Sequence, residues 1–203
     1  MIVIVDYGMG NVGSVKNALT LLGAEVVISN KKADIEQSTH IILPGVGAFG
    51  DGMRRLRESS AIGVLRREVL EKKKPFLGVC LGMQLLATKG DEGGIHEGLG
   101  WIPGNVRRFD IDENKFRVPH IGWNDVVCER ESSLFSDISS PVFYFVHSYI
   151  FVPSDAATVT ARCEYGEPFA AAVEMDNIRG VQFHPEKSQK SGLTLLCNFI
   201  GAR

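Results

Sequence analysis

Cys80 stands in Gly78-Val79-Cys80-Leu81-Gly82, the cysteine form of the nucleophile elbow G-x-S-x-G. An apolar run precedes it and a helical pattern follows, which is the strand–turn–helix setting such an elbow needs. The glycines matter because the turn is sharp and the backbone crowded. A cysteine held there sits at a helix N-terminus, where the dipole favours thiolate over thiol. The backbone N–H of Leu81, just after it, is aimed where an oxyanion would form. Five residues alone also fit a buried cysteine ahead of a packed helix.

A catalytic cysteine needs a base, and the base needs an orienting group. Among five histidines, His184 lies in Gly180-Val181-Gln182-Phe183-His184-Pro185-Glu186, directly after an apolar strand. Glu186 is two residues on, with Pro185 stiffening the link. A carboxylate so placed can hold one imidazole nitrogen while the other faces the thiol. His40 at a strand start and His96 in a glycine-rich loop have no carboxylate so placed; His120 and His147 compete only in principle. The oxyanion also needs a second N–H donor. Pro44-Gly45-Val46-Gly47 follows a strand and is the kind of glycine loop that supplies it.

These three segments require elements that bring them to one edge. In the first half, strand signals at 2–6, 25–28, 41–43 and 75–79 alternate with helical periods at 15–22, 53–71 (as two pieces) and 82–88. That alternation predicts a parallel sheet covered on both faces. In the second half, short strands are expected at 106–109, 118–121, 125–128, 142–145, 158–163, 170–174 and 178–182. Asp176-Asn177 marks a tight hairpin, and a helix over 191–200 closes the chain. The expectation is one α/β domain over 1–203, a mostly parallel sheet flanked by helices and extended by antiparallel strands.

Composition narrows the function classes. The 203 residues are 44% hydrophobic and 23% charged, with net charge −2, which argues against disorder and against a broad nucleic-acid surface. The longest apolar-rich run, 77–87, falls well short of the roughly 20 residues a membrane-spanning helix needs. Met1 is followed at once by Ile-Val-Ile-Val, with no basic region of a signal peptide. The four cysteines are widely spaced without C-x-x-C, so neither a disulfide scaffold nor a cysteine-rich zinc site is expected, and a reducing cytoplasm fits.

Two weaker features remain open. Gly8-Met9-Gly10-Asn11-Val12-Gly13 matches the dinucleotide fingerprint G-x-G-x-x-G, but the second strand ends in Ser29-Asn30 and lacks the ribose-binding carboxylate. The alternative is a plain strand-to-helix turn. The basic runs Arg54-Arg55-Arg57 and Lys72-Lys73-Lys74 fit either a docking face or a solvated helix surface.

Taken together, Pro44-Gly45-Val46-Gly47, Gly78-Val79-Cys80-Leu81-Gly82-Met83-Gln84 and Gln182-Phe183-His184-Pro185-Glu186 resemble the three motif blocks of the class I (triad-type) glutamine amidotransferases. The segments 6–11, 119–124 and 144–149 are similar to the branch of that family that supplies ammonia for imidazole glycerol phosphate synthesis, and the resemblance runs end to end.

The resemblance implies a reaction. The Cys80 thiolate attacks the side-chain amide of glutamine. His184 takes the thiol proton and returns it to departing ammonia, and water hydrolyses the glutamyl thioester. Glu186 orients His184. The oxyanion donors map onto Val46, Gly47 and Leu81, the loop requiring a peptide reorientation before it serves. Gln84, Glu92, Ser148 and Tyr149 take the places of substrate contacts; His147, in the same block, has no role assigned. The implied partner is a HisF-like (β/α)8-barrel synthase subunit. It receives the ammonia and makes imidazole glycerol phosphate and aminoimidazole carboxamide ribotide in histidine biosynthesis. Asn11, Trp123 and Lys187 sit at matching interface positions. No cofactor, metal or phosphate site is implied on this chain. Gly13 departs from the pattern, which has a bulkier residue there. A paralogue feeding another synthase, such as a sugar-amidating one, and a non-catalytic regulatory subunit remain alternatives.

Overall fold

The computed structural model describes residues 1–201. Strand β1 (Ile2–Val5) is buried on both faces, so its side chains alternate between two cores. Ile2 and Ile4 join one core, Val3 and Val5 the other. Helix α1 (Val12–Leu21) covers the first core with Val15, Ala18 and Leu19, and Asn11 caps it by accepting from Ser14 N. Strand β2 (Val26–Ser29) and helix α2 (Lys32–Gln37) follow, then β3 (His40–Gly45). Helices α3 (Phe49–Glu58) and α4 (Ile62–Arg66) cover the second core with Phe49, Met53, Leu56 and Leu65. Ser60, at φ +58°, breaks the helix between them. A π-helical turn over Arg67–Glu71 leads to β4 (Phe76–Cys80) and the single turn α5 (Leu81–Gln84).

The second half is built of strands: β5 (Lys89–Gly90), β6 (His96–Glu97), β7 (Gly104–Arg108), β8 (His120–Asp125), β9 (Val127–Cys128), β10 (Val142–His147), β11 (Tyr149–Pro153), β12 (Val159–Tyr165), β13 (Glu167–Met175) and β14 (Ile178–Val181). Helix α6 (Gln189–Gly201) returns to the first core through Leu195, Leu196 and Phe199. The main sheet runs β2-β1-β3-β4-β14-β13-β12-β9. Its first five strands are parallel and the remainder antiparallel. A β8–β10 ribbon and a β11-β7-β5-β6 sheet flank it. Each fully buried Leu, Ile or Phe along the parallel strands contributes about 1.5–3 kcal/mol, and both faces are lined with them.

The expected mostly parallel sheet with added antiparallel strands is what forms. Asp176-Asn177 is the two-residue hairpin, with Met175 opposite Ile178 and Asp176 at φ +54°. Three expectations are corrected. The helix over 82–88 stops at Gln84, because the N–H groups of Leu86 and Ala87 turn to Met83 and Gln84 carbonyls three residues back. The strands at 118–121 and 125–128 are instead one strand over His120–Asp125 and a two-residue strand over Val127–Cys128. Helix α2 and strand β11 were not anticipated.

Candidate active site

Strands β3, β4 and β14 are adjacent and parallel, so their C-terminal ends share one edge of the sheet. Open α/β sheets gather their ligand groups at that edge. Here β3 delivers the Pro44–Gly47 loop, β4 delivers Cys80, and β14 runs into His184. The three motif segments, spread between Pro44 and Glu186 in sequence, meet because of strand order alone.

Cys80 adopts φ +54°, ψ −110°, a conformation that costs an L-residue strain of about 1–3 kcal/mol. Its neighbours make the turn possible. A β-carbon on Gly78 would lie 2.6 Å from the Gly82 carbonyl oxygen, and one on Gly82 would overlap the Leu43 carbonyl oxygen. Cys80 is 6% exposed. Gln182 Nε2 donates toward its sulfur at 3.7 Å, and the Val146 carbonyl accepts from it at 4.0 Å.

His184 Nδ1 bonds Glu186 Oε1 at 2.9 Å, with both side chains nearly inaccessible. A 3₁₀ turn over Pro185–Lys187 folds Glu186 back onto the imidazole. The backbone is clamped as well: His184 N donates to Tyr144 O at 2.9 Å, and Ser188 Oγ donates to His184 O at 2.6 Å. Nε2 is buried without a conventional hydrogen-bond partner. Burial opposes the imidazolium, but the Cys80 sulfur and the Glu186 carboxylate beside it win and push the His184 pKa up to about 10. The site therefore favours a charged imidazole.

A cleft of about 420 Å³ opens over Cys80. Val46, Gly47, Leu81, Gln84, Glu92, Ser148 and Tyr149 all line it with the thiol, so every expected oxyanion and substrate position falls in one cavity. Gly47 takes φ +102°, and Val46 is 42% exposed. Gln84 Nε2 is spent on Tyr149 O at 2.9 Å and Gln182 Oε1 at 3.0 Å. Glu92 Oε2 accepts from Phe49 N at 2.8 Å, capping α3 where no local side chain does.

Of the expected interface positions, Trp123 and Lys187 both meet the Tyr144 ring, at 6.0 Å between ring centroids and 5.6 Å from Nζ to centroid. Among the described residues Asn11 makes no hydrogen bond or ring contact with that group; its side chain caps α1.

Several features resolve structurally. The Gly8–Gly13 turn packs on the neighbouring loop, where a β-carbon on Gly10 would be 3.4 Å from Pro44 O. Asp34, five residues past the end of the second strand, accepts from Ser29 Oγ at 2.5 Å. Lys72 and Lys74 pair with buried Glu68, Lys73 with Asp176, and Arg54 with Asp51 and Glu58. The basic runs are thus largely consumed within the chain.

Sequence reasoning missed three groups. Gln182 touches the thiol from inside the His184 motif. Tyr7 is buried beside the Pro44–Gly47 loop. His120 and His147 form a buried pair, Nδ1 to Nε2 at 3.3 Å, and His147 Nδ1 bonds Tyr149 O at 2.9 Å. A carbonyl only accepts, so His147 carries its proton on Nδ1 and accepts from His120 Nδ1–H. Burial lowers their pKa values to about 4 and about 3, so both stay neutral near pH 7.

Comparison with known proteins gives the family and the fold. The family model described as glutamine amidotransferase class-I matches residues 3–201. The chain is 48% identical over 201 residues to the imidazole glycerol phosphate synthase subunit HisH 2 of Pseudomonas aeruginosa, covering 98% of each. It is 48% identical over 199 residues to the subunit HisH of Aquifex aeolicus, covering 97% of this chain and 94% of that one. Among solved structures, a glutamine amidotransferase superposes with TM-score 0.77 at 23% identity, covering 99% and 98%. PurLQS from Thermotoga maritima superposes with TM-score 0.74 at 21% identity, covering 98% and 97%. At those identities the two structures speak for the fold.

Proposed function

The chain belongs to the glutamine amidotransferase class-I family, and from that premise we propose how its residues carry out glutamine hydrolysis and whom they serve. It is a glutaminase, the subunit that releases ammonia for imidazole glycerol phosphate synthesis in histidine biosynthesis. The whole chain acts as one glutaminase domain, a reading supported by two cores that share a single sheet.

Cys80 is the nucleophile. Its Sγ forms a bond to the glutamine amide carbon as His184 takes the thiol proton. His184 returns that proton to nitrogen when the C–N bond breaks and ammonia leaves. Water then attacks the glutamyl thioester, with His184 as base, and frees glutamate and Cys80. Glu186 fixes the imidazole by Nδ1. Leu81 N–H and the Val46–Gly47 loop receive the oxyanion, each such donor supplying about 2.7–4 kcal/mol to the transition state. Gln84, Glu92, Ser148 and Tyr149 bind the substrate; their common cleft with the thiol supports this. Exposure of Val46 and the positive φ of Gly47 support a loop that turns its N–H inward on signal.

The partner is a HisF-like (β/α)8-barrel synthase subunit. Ammonia passed directly into it avoids protonation in water. Ile121, Trp123 and Val46 are 59%, 47% and 42% exposed, which supports a docking face that includes Asn11 and Lys187. Among the described residues no helix is long and apolar enough to cross a membrane.

The observation that carries this reading is the Cys80 elbow set beside the buried His184–Glu186 pair. The test is glutamate release from glutamine by the chain alone, with a HisF-like barrel, and with the ribonucleotide acceptor added. Strong stimulation in the full mixture supports reaction and partner together. Release that ignores the barrel and acceptor overturns the partner and points to another synthase.

A further inference from the structure

Tyr7 is 5% exposed, and its hydroxyl oxygen is buried without a hydrogen-bond partner. That is an expensive way to keep an oxygen, since an unpaired buried hydroxyl loses its hydration and gains nothing. A phenylalanine would fill the same space at no such cost.

The position of the hydroxyl is specific. A β-carbon built on Gly45 would collide with it, and would also lie 2.9 Å from Leu81 Cβ and 3.2 Å from Gly82 N. Gly45 is the residue in register with Cys80 across β3 and β4. The hydroxyl is therefore wedged where the end of β3 meets the first turn of α5. Those are the two segments read above as the sources of the oxyanion donors. The phenol stays protonated because burial and the charge of Cys80 both raise its pKa. A protonated phenol acts on its surroundings as a dipole.

We propose that Tyr7 is a positioning residue of the glutaminase centre, its hydroxyl left unpaired in the resting protein so that its dipole can turn toward the negative charge that develops at Cys80 and the adjoining oxyanion site. No proton is transferred and no bond is made or broken at Tyr7. Its effect is to favour the thiolate and the charged intermediate over their neutral precursors, at the expense of the resting fold. The proposal rests on Cys80 being the nucleophile.

Tyr7→Phe tests it through two effects of opposite sign. The variant chain should melt at the same temperature as wild type or higher. Its kcat for glutamate release, measured with the barrel and acceptor, should fall about threefold to tenfold, the scale of one neutral hydrogen bond, with KM unchanged. The rate of iodoacetamide alkylation of Cys80 against pH, followed by mass spectrometry of its peptide, should shift to higher pH. Alkylation of exposed Cys128 and Cys197 should stay as it was and serves as the internal reference. A variant whose kcat and alkylation profile superpose on wild type overturns the role of Tyr7. So does one that melts markedly lower, since the hydroxyl would then be structural. Cys80→Ala keeps the two failures apart: glutamate release that survives it overturns the nucleophile assignment itself, whatever Tyr7→Phe does.

Discussion

His184 and Glu186 are joined by a 2.9 Å hydrogen bond across only two residues, inside a 3₁₀ turn that leaves neither side chain meaningfully exposed. The base and its orienting group are thus a local unit, placed as a block by the strand before it. Glu186→Gln keeps an oxygen acceptor for Nδ1–H and removes the charge. Glutamate release should fall on the order of 10²-fold, within the usual range for general acid–base assistance, without vanishing. Steady-state rates at saturating glutamine decide this; a wild-type rate removes Glu186 from the mechanism.

The same pair sets a pH signature. His184 has its pKa raised from 6.5 to about 10 by its partners against the opposing effect of burial. A group charged more readily in the folded than in the unfolded state adds stability below its unfolded pKa. That stability drains away as pH climbs through the folded value. Urea midpoints between pH 7 and 10 should therefore drop more steeply for wild type than for Cys80→Ala, which lacks the sulfur. The difference reports the part of the His184 shift that the sulfur causes. Parallel profiles contradict the coupling.

Glu68 predicts the acid side. It is 1% exposed and ion-paired with Arg67, Lys72 and Lys74. Burial works against its charge, but the hydrogen bonds of Lys72 and Lys74 outweigh it and hold the pKa at about 2, below the usual 4.5. Its stabilising effect is complete above the unfolded value and is lost as pH falls toward 2. Acid unfolding of Glu68→Gln should start from lower stability and show a shallower pH dependence in that window. An acid limb with unchanged slope sinks the assignment.

Two glycines should respond in opposite directions. Gly13 lies within the first turn of α1, and a β-carbon there meets nothing within 4 Å. Gly13→Ala should stabilise the chain by about 0.5–1 kcal/mol through helix propensity and unfolded-state entropy. At Gly82 a β-carbon would overlap the Leu43 carbonyl oxygen. Gly82→Ala should cost about 1–3 kcal/mol or more, as overpacking does, and distort the elbow. Denaturant midpoints of the two variants check both signs.

What the sequence revealed follows from how local the signal was. The elbow, the His184 segment and the Pro44–Gly47 loop are contiguous motifs attached to apolar strands, and strand alternation was enough to bring them to one edge. The missed elements lack a pattern. Helix α2 buries only Ile35, so it shows no apolar period. Helix α5 and the residues after it through Ala87 are buried on all sides, so periodicity cannot tell where the helix stops. Strand β11 follows β10 after the single residue Ser148, too short a break to read as a turn. His120 and His147 meet only because they are in register across the β8–β10 ribbon, a long-range pairing with no local signature.

The most direct test of the central claim is to look for the thioester itself. Wild-type chain mixed with glutamine, the barrel subunit and acceptor should be quenched in acid and digested. The peptide carrying Cys80 should gain the mass of one glutamyl group. Cys80→Ala should show neither that adduct nor glutamate release, while still binding the barrel subunit as wild type does. Glutamate released by Cys80→Ala at the wild-type rate, or a glutamyl adduct on another residue, would contradict the account.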